Sequence, residues 1–158
     1  MEFYRNYKRK FKTIEDNNEQ YECNDMVKRS DIMQRKAFIA AGAISVGPYS
    51  HAVECGEIVY LSGQTPIDSA TGKLVEGDII DQTEQCFKNL FNVLTAAKLT
   101  PDHVIKVNVF LTDMGDFAAM NAVYSNKFEA PYPARTTIGV ASLPLGARVE
   151  IEMIAIKK

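Results

Sequence analysis

The stretch that decides the fold is Val149-Glu150-Ile151-Glu152-Met153-Ile154-Ala155-Ile156, close to the end of the chain. Its β-branched and apolar residues predict a strand. Side chains in a strand alternate between two faces, so Glu150 and Glu152 point to the same side of the sheet. Charges at alternate positions are also typical of an edge strand, and a purely structural role stays open at this point.

A single arginine stands shortly before this strand, in Pro131-Tyr132-Pro133-Ala134-Arg135-Thr136-Thr137. The prolines predict a loop that leads into another β-branched strand. A fixed cation that can bind a carboxylate, near an acid that can move a proton, suits chemistry on a small organic acid. The alternative is a surface arginine that pairs with a neighbouring carboxylate.

Outward from these segments, the chain alternates between predicted strands and helices. The clearest element is a helix over Asp78–Lys98, because its apolar residues return at helical spacing and Asp78 suits the N-cap. The other predicted elements are strands at Ala52–Cys55 and Ile58–Ser62 around a turn at Gly56-Glu57, a strand at Val104–Leu111, a helix at Asp113–Phe128, and strands at Thr136–Val140 and Arg148–Ile156. This order predicts an α+β or α/β sandwich in which strands joined through a helix run parallel.

The apolar pattern of the strands predicts an oligomer. Two helices can cover only one face of a sheet, yet Ile58–Leu61 is apolar without alternation. The uncovered face needs a partner, and a second copy of the chain is the simplest one.

Composition narrows the class of protein. The 158 residues carry a net charge of -2, which argues against a general nucleic-acid binder. Two histidines make a His-rich metal site improbable, and Cys23, Cys55 and Cys86 are too far apart for a redox or metal motif. An odd number of unpatterned cysteines suits a reducing compartment such as the cytoplasm. No apolar run reaches the length of a membrane span.

Residues 1–36 differ from the rest and predict an N-terminal polar extension, with the folded domain over residues 37–158. The extension has nine basic and seven acidic residues, which leaves nine basic and thirteen acidic, a net charge of -4, for the domain. Its polar middle shows no hydrophobic period and predicts a disordered tail. Its basic first twelve residues keep organelle targeting open as the alternative.

Seven short motifs resemble the reactive intermediate deaminase family (Rid, formerly YjgF), in order and spacing, from about residue 40 to 157. They are Gly47-Pro48-Tyr49-Ser50, Leu61-Ser62-Gly63-Gln64, Asn89-Leu90-Phe91-Asn92-Val93-Leu94, Val107-Asn108-Val109-Phe110-Leu111, Met120-Asn121-Ala122-Val123-Tyr124, Pro133-Ala134-Arg135 and Val149-Glu150-Ile151-Glu152. The resemblance implies a chorismate-mutase-like α+β fold: a mixed sheet of about six strands, two helices on one face, and a homotrimer with a cleft at each subunit interface. It also implies hydrolysis of 2-imino and enamine acids, such as 2-aminoacrylate, to 2-keto acids and ammonia without a cofactor or metal.

The same resemblance implies a set of site residues. Arg135 would bind the carboxylate of the substrate, and Glu150 would orient and deprotonate water. The residues expected to line the cleft are Tyr49, Ser62, Gly63, Asn121, Arg135 and Thr137. Thr137 stands where cysteine is common in the family, which excludes a mechanism that needs a thiol there.

Two other functions remain as alternatives. Some members are labelled single-strand endoribonucleases or translation inhibitors, and a non-catalytic metabolite-binding protein could use the same cleft. RNA cleavage normally needs a histidine pair, or histidine with lysine, on a basic surface. The acidic domain and its two histidines, His51 and His103, favour the deaminase.

Overall fold

The computed structural model describes residues 35–40 and 47–157. Most of the predicted extension, residues 1–36, lies outside that part of the chain. The helices and strands are β1 Lys36–Phe38, β2 Ala52–Cys55, β3 Ile58–Gln64, β4 Ile67–Asp68, β5 Lys73–Leu74, α1 Ile79–Ala96, β6 Val104–Leu111, α2 Phe117–Ser125, β7 Ala134–Gly139 and β8 Val149–Ile156. The β2–β3 hairpin, the first helix and the β6 strand confirm the corresponding predictions.

Six of the strands form one mixed sheet in the order β1-β2-β3-β8-β6-β7. Strand β8 lies in the middle and runs antiparallel to both β3 and β6. Strands β6 and β7 pair in parallel and are joined through α2, which confirms the prediction that strands joined through a helix run parallel. The last strand of the sequence is therefore the centre of the sheet rather than an edge, which removes the edge-strand explanation for its two carboxylates.

Helix α1 supplies most of the core on one face of the sheet. Asp78 caps it: the carboxylate accepts a hydrogen bond from the Ile80 N–H at 2.7 Å, and Asp81 accepts one from the Asp78 N–H at 3.1 Å. Its apolar stripe is buried against β3, β8 and helix α2. The buried residues of the stripe are Ile79, Thr83, Cys86, Phe87, Leu90, Val93, Leu94 and Ala97.

Helix α2 is shorter than predicted. The pattern predicted a helix over Asp113–Phe128, whereas the structure has Phe117–Ser125. The Asp113 carboxylate accepts from the Gly115 N–H at 2.8 Å and starts a separate 3-10 turn, so the helix begins four residues later. Phe128 belongs to the apolar pattern because it packs on Tyr124, with ring centroids 5.2 Å apart, although it lies beyond the helix.

The second face of the sheet carries no helix within the described residues, and we call it the helix-free face. Val59 and Leu61 are buried under the helices, while Tyr60 between them is 51% exposed on the helix-free face. Ile138 is 46% exposed on the same face, in the sheet's last strand. The apolar residues that the sequence contains beyond those needed for one buried face thus lie on the helix-free face. No helix in the described ranges has the length and apolar content needed to cross a membrane.

Candidate active site

A bulge in β3 brings Gly63 against Glu150. The register with β8 shifts between Leu61 and Gln64, so that β3 holds one extra residue there. A β-carbon built on Gly63 would lie 2.1 Å from Oε1 of Glu150 and 3.0 Å from its carboxyl carbon. Only glycine leaves room for the carboxylate at this point, which explains the residue type.

A cavity of about 440 Å³ opens beside the bulge. Four of the predicted site residues line it together: Tyr49, Ser62, Gly63 and Glu150. The Ser62 hydroxyl donates to the Ser50 carbonyl at 2.7 Å, so it ties two walls to each other. We call this space the Glu150 cavity. Its remaining lining residues, none of which was predicted as a site residue, are Gly47, Gln64, Thr65, Ile67, Ser69, Asn89, Asn92, Pro144 and Leu145.

The surroundings of Glu150 favour proton uptake. Burial raises the pKa of its carboxyl group above 4.5, and the nearby Glu152 carboxylate raises it further. Glu152 is itself held by Asn108, whose Nδ2 donates to it at 2.8 Å. Within residues 35–40 and 47–157, no group donates a hydrogen bond to the Glu150 carboxylate. Its oxygens can therefore accept a proton from water or from a ligand.

The other predicted residues form a second group on β7 and α2, which we call the Arg135 cluster. Arg135 donates to the Asn121 amide oxygen at 2.8 Å. Its guanidinium carbon lies 4.3 Å from the centre of the Tyr124 ring and 5.8 Å from that of Phe117. These contacts hold the guanidinium plane in one orientation. The sequence analysis missed both aromatic residues as members of the site, since at helical spacing they look like core.

Two buried hydroxyl groups belong to the Arg135 cluster. The Tyr124 hydroxyl and Thr137 Oγ1 have no hydrogen-bond partner among the described residues. Burial also raises the pKa of Tyr124, against a smaller lowering effect of Arg135, so the phenol stays protonated near neutral pH. Unpartnered buried hydroxyls beside a fixed cation suit a polar, negatively charged ligand.

The two groups lie on opposite faces of the sheet. Glu150 pairs with Phe110, which pairs with Ile138 on the helix-free face. Arg135 is three residues from Ile138 in the same strand, and an odd separation places it on the helix-covered face, where it contacts α2. One chain therefore brings together four of the predicted residues around Glu150 and three around Arg135, but it does not bring the two groups together.

The described ranges hold no group of three or more His, Cys, Asp or Glu side chains placed to share a metal ion. Cys86 is fully buried in the core, and burial raises its pKa well above 9.0, so it does not act as a nucleophile. Cys55 is only partly buried.

Comparison with known proteins identifies the family. The model of the family described as endoribonuclease L-PSP matches residues 40–157. The chain belongs to this family, which includes the Rid proteins. The resemblance noted in the sequence is thereby confirmed, and so is the implied mixed six-stranded sheet with two helices on one face. The homotrimer stays a prediction.

Several members of the endoribonuclease L-PSP family are similar to the chain over most of their length. The 2-iminobutanoate/2-iminopropanoate deaminase of Dermatophagoides farinae is 46% identical over 111 residues, which covers 70% of this chain and 87% of that protein. Protein mmf1, mitochondrial, of Schizosaccharomyces pombe is 46% identical and covers 72% and 70%. The crystal structure of E. coli TdcF with bound serine is 36% identical, with a TM-score of 0.73 and coverage of 78% and 99%.

Proposed function

We propose that this protein hydrolyses reactive 2-imino and enamine acids, such as 2-aminoacrylate, to 2-keto acids and ammonia. The observation that carries the proposal is the half-buried Glu150 carboxylate, with a raised pKa, in a cavity beside Gly63. The deaminase name of the Dermatophagoides relative supports the same reaction class.

Arg135 is the proposed anchor of the substrate carboxylate. A guanidinium binds a carboxylate through two parallel hydrogen bonds and stays charged at any working pH. Asn121 takes one of its donors, and Tyr124 supports its flat face, so the remaining donors point in a defined direction. Fixing the carboxylate also fixes the imine carbon next to it.

Glu150 is the proposed general base. An enamine acid first takes a proton from solvent at its terminal carbon and so becomes the protonated imine, whose carbon is already electrophilic. Glu150 takes a proton from water as the water oxygen bonds to the imine carbon, and returns that proton to the amino nitrogen of the carbinolamine. The C–N bond then breaks as the carbinolamine hydroxyl loses its proton to solvent water, which releases ammonia and leaves the keto acid. Such acid–base help contributes roughly a hundred- to ten-thousandfold in rate.

A site that uses both groups requires two copies of the chain, because they point to opposite faces within one copy. The exposed apolar residues of the helix-free face, Tyr60 and Ile138, provide a surface for self-association. We propose a homotrimer in which Arg135 of one subunit and Glu150 of the next form each cleft. Tyr49, Ser62 and Gly63 then belong to the Glu150 side, and Asn121 and Thr137 to the Arg135 side.

Mixed oligomers test this arrangement. We expect Arg135→Ala and Glu150→Ala proteins to be inactive alone. Dissociated and reassembled together, they should recover about a quarter of wild-type turnover, since about one interface in four then receives both intact halves. Mixtures as inactive as the two variants, despite proven subunit exchange, would rule out the shared site.

The substrate class is tested with 2-aminoacrylate generated in the assay. Wild-type protein should accelerate keto acid formation, and Arg135→Ala should abolish the acceleration. Arg35→Ala, which removes a guanidinium from an exposed position, is the matched control and should keep full activity. Wild-type protein that binds a 2-keto acid but gives no turnover would favour a non-catalytic binding protein.

The endoribonuclease alternative finds less support in the described part of the chain. His51 is 1% exposed and accepts a hydrogen bond from the Ala40 N–H, while His103 Nδ1 accepts from the Thr100 N–H at 3.1 Å. Neither imidazole belongs to the Glu150 cavity or the Arg135 cluster. RNase activity that copurifies with the protein and survives Arg135→Ala would revive this alternative.

We further propose that residues 37–158 are the deaminase domain and that the protein is cytoplasmic unless residues 1–36 direct it to an organelle. One relative carries "mitochondrial" in its name. The localisation of fluorescent fusion proteins with and without residues 1–36 tests this proposal. Fluorescence that is confined to an organelle for the full chain and diffuse after deletion of residues 1–36 would establish targeting.

A further inference from the structure

The loop between β3 and β4, residues 65–66, is tied to helix α1 by two side-chain amides. Asn89 Nδ2 donates to the carbonyl oxygens of Thr65 and Ile67, at 3.1 and 2.9 Å. Gln85 Nε2 donates to the Ile67 carbonyl at 3.3 Å and to Asn89 Oδ1 at 2.8 Å. Gln85 and Asn89 are four residues apart and therefore lie on one side of the helix. We call this network the amide clamp.

The hydrogen bonds of Asn89 are already committed. A side-chain amide has two N–H donors and one carbonyl acceptor. Both carbonyl contacts use its nitrogen, and its oxygen accepts from Gln85. Although Asn89 lines the Glu150 cavity, its amide is engaged with the loop. Gln85, which is 8% exposed, in turn fixes the orientation of Asn89.

The clamped loop follows the residues that enclose Glu150. Thr65 comes two residues after Gly63, whose α-carbon borders the Glu150 carboxylate, and Thr65, Ile67 and Gly63 all line the cavity. The bulge in β3 takes Ser62 and Gly63 out of regular register with β8, and residues 65–66 lie beyond Gln64, the last paired residue of the strand, so pairing with β8 does not determine the position of the loop. The clamp supplies the missing constraint from the helix side.

We propose that Gln85 and Asn89 are positioning residues, which hold the Gly63–Ile67 wall against Glu150 and thereby keep bulk water away from the side of its carboxylate that faces Gly63. This inference rests on the proposed function, in which Glu150 is the general base. A firm wall maintains the burial of the carboxylate. A loose wall would admit water, and the burial that raises the pKa of Glu150 would weaken.

The experiment uses the full chain and the isosteric variant Asn89→Asp, which loses both donors to the loop carbonyls. With 2-aminoacrylate as substrate, kcat should fall by at least about tenfold while KM changes little, because Arg135 still binds the substrate. The acidic limb of the kcat/KM profile is measured in Gln85→Met, which loosens the clamp without adding a charge to the Glu150 cavity, and should move to lower pH. Lys88→Ala, at an exposed position of the same helix, is the control and should leave all three quantities unchanged.

A second readout does not depend on activity. The Val75 N–H donates to the Pro66 carbonyl and the Ile67 N–H to Thr65, so these amides report on the loop. In Asn89→Asp their hydrogen exchange should accelerate by about tenfold or more, with the β6 amides unchanged. The variant Gln85→Met, which keeps Asn89, should give a smaller effect in both assays and replaces Asn89→Asp if that protein does not fold.

The outcomes separate this inference from the proposed function. An inactive wild type would refute the proposed function, while exchange at the loop amides would still test the clamp. Unchanged exchange in Asn89→Asp would overturn the clamp. A rise in KM at constant kcat would also overturn it, because Asn89 would then be a substrate contact.

Discussion

Arg135 and Glu150 project from opposite faces of the same sheet, two strands apart. The guanidinium lies against α2, whereas the carboxylate lies in a cavity at the bulge of β3. Because a strand turns successive side chains to opposite faces, no rotamer change brings the two groups together in one copy. Association of copies thus becomes part of the proposed chemistry rather than an addition to it.

Gly63→Ala tests the close approach to Glu150. The new methyl group would overlap the carboxylate, which has to leave its position. We expect kcat to fall by about a hundredfold or more, as for loss of a general base, with the far-ultraviolet circular dichroism unchanged. In a Glu150→Ala background the same substitution should cost nothing further. A similar loss in both backgrounds would show that Gly63 acts independently of Glu150.

Glu152→Gln tests the electrostatics of the carboxylate pair. The variant retains an oxygen that accepts from Asn108 but removes the charge that raises the Glu150 pKa. Turnover requires ionised Glu150, so kcat/KM falls as the pH drops through the raised pKa of this residue. In the variant, we expect this fall to occur at lower pH. The pKa of Glu150 should remain raised, because burial, which raises it more than Glu152 does, is unchanged. Glu57→Gln, at an exposed position, should leave the profile unmoved.

Substitutions of Asn121 test the orientation of Arg135. Asn121→Ala removes one hydrogen bond to the guanidinium, and we expect KM to rise by about tenfold, the worth of a hydrogen bond to a charged group. Asn121→Asp should be worse than Asn121→Ala, because its carboxylate would pair with Arg135 and compete with that of the substrate. Equal activity of the aspartate variant and the wild type would contradict this role.

The helix-free face can be tested by charge insertion. Ile138→Asp places a carboxylate on the proposed interface, where burial would be costly, so the molecular mass in sedimentation should fall from three chains to one and turnover should be lost. Ile80→Asp is a matched control, since Ile80 is 45% exposed against 46% for Ile138 but lies on α1. It should stay assembled and active. A trimer of full activity in the Ile138 variant would place the interface elsewhere.

Local chemistry accounts for the elements that could be predicted. Asp78 caps α1 where the pattern placed it, and Val104–Leu111 is a strand over the predicted residues. The prediction made α2 too long for a local reason as well. Apolar residues continue at helical spacing through Phe128, but the helical hydrogen bonding of the backbone stops at Ser125. Hydrophobic periodicity predicts which face of a helix is buried, but it does not predict the residue at which the helical hydrogen bonds end.

For the site, residue types and spacing drew attention to Arg135 and to the pair Glu150 and Glu152, and the family resemblance supplied the roles predicted for Arg135 and Glu150. They did not point to Asn89, Gln85 or Tyr124. The role of Asn89 cannot be predicted from its place on a helix, because its partners are the carbonyl groups of a loop that is distant in the sequence. A tyrosine at helical spacing looks like core until a guanidinium is found on its ring.

The sequence by itself determined the order of elements, the shared side of Glu150 and Glu152, and the apolar excess of the sheet, because each follows from a period of 2 or 3.6 residues along the chain. Only the tertiary structure decided that Glu150 lies under Gly63, and that Arg135 lies on the other face. Those relations depend on strand order and on one extra residue in β3, which are set by contacts between segments far apart in the chain.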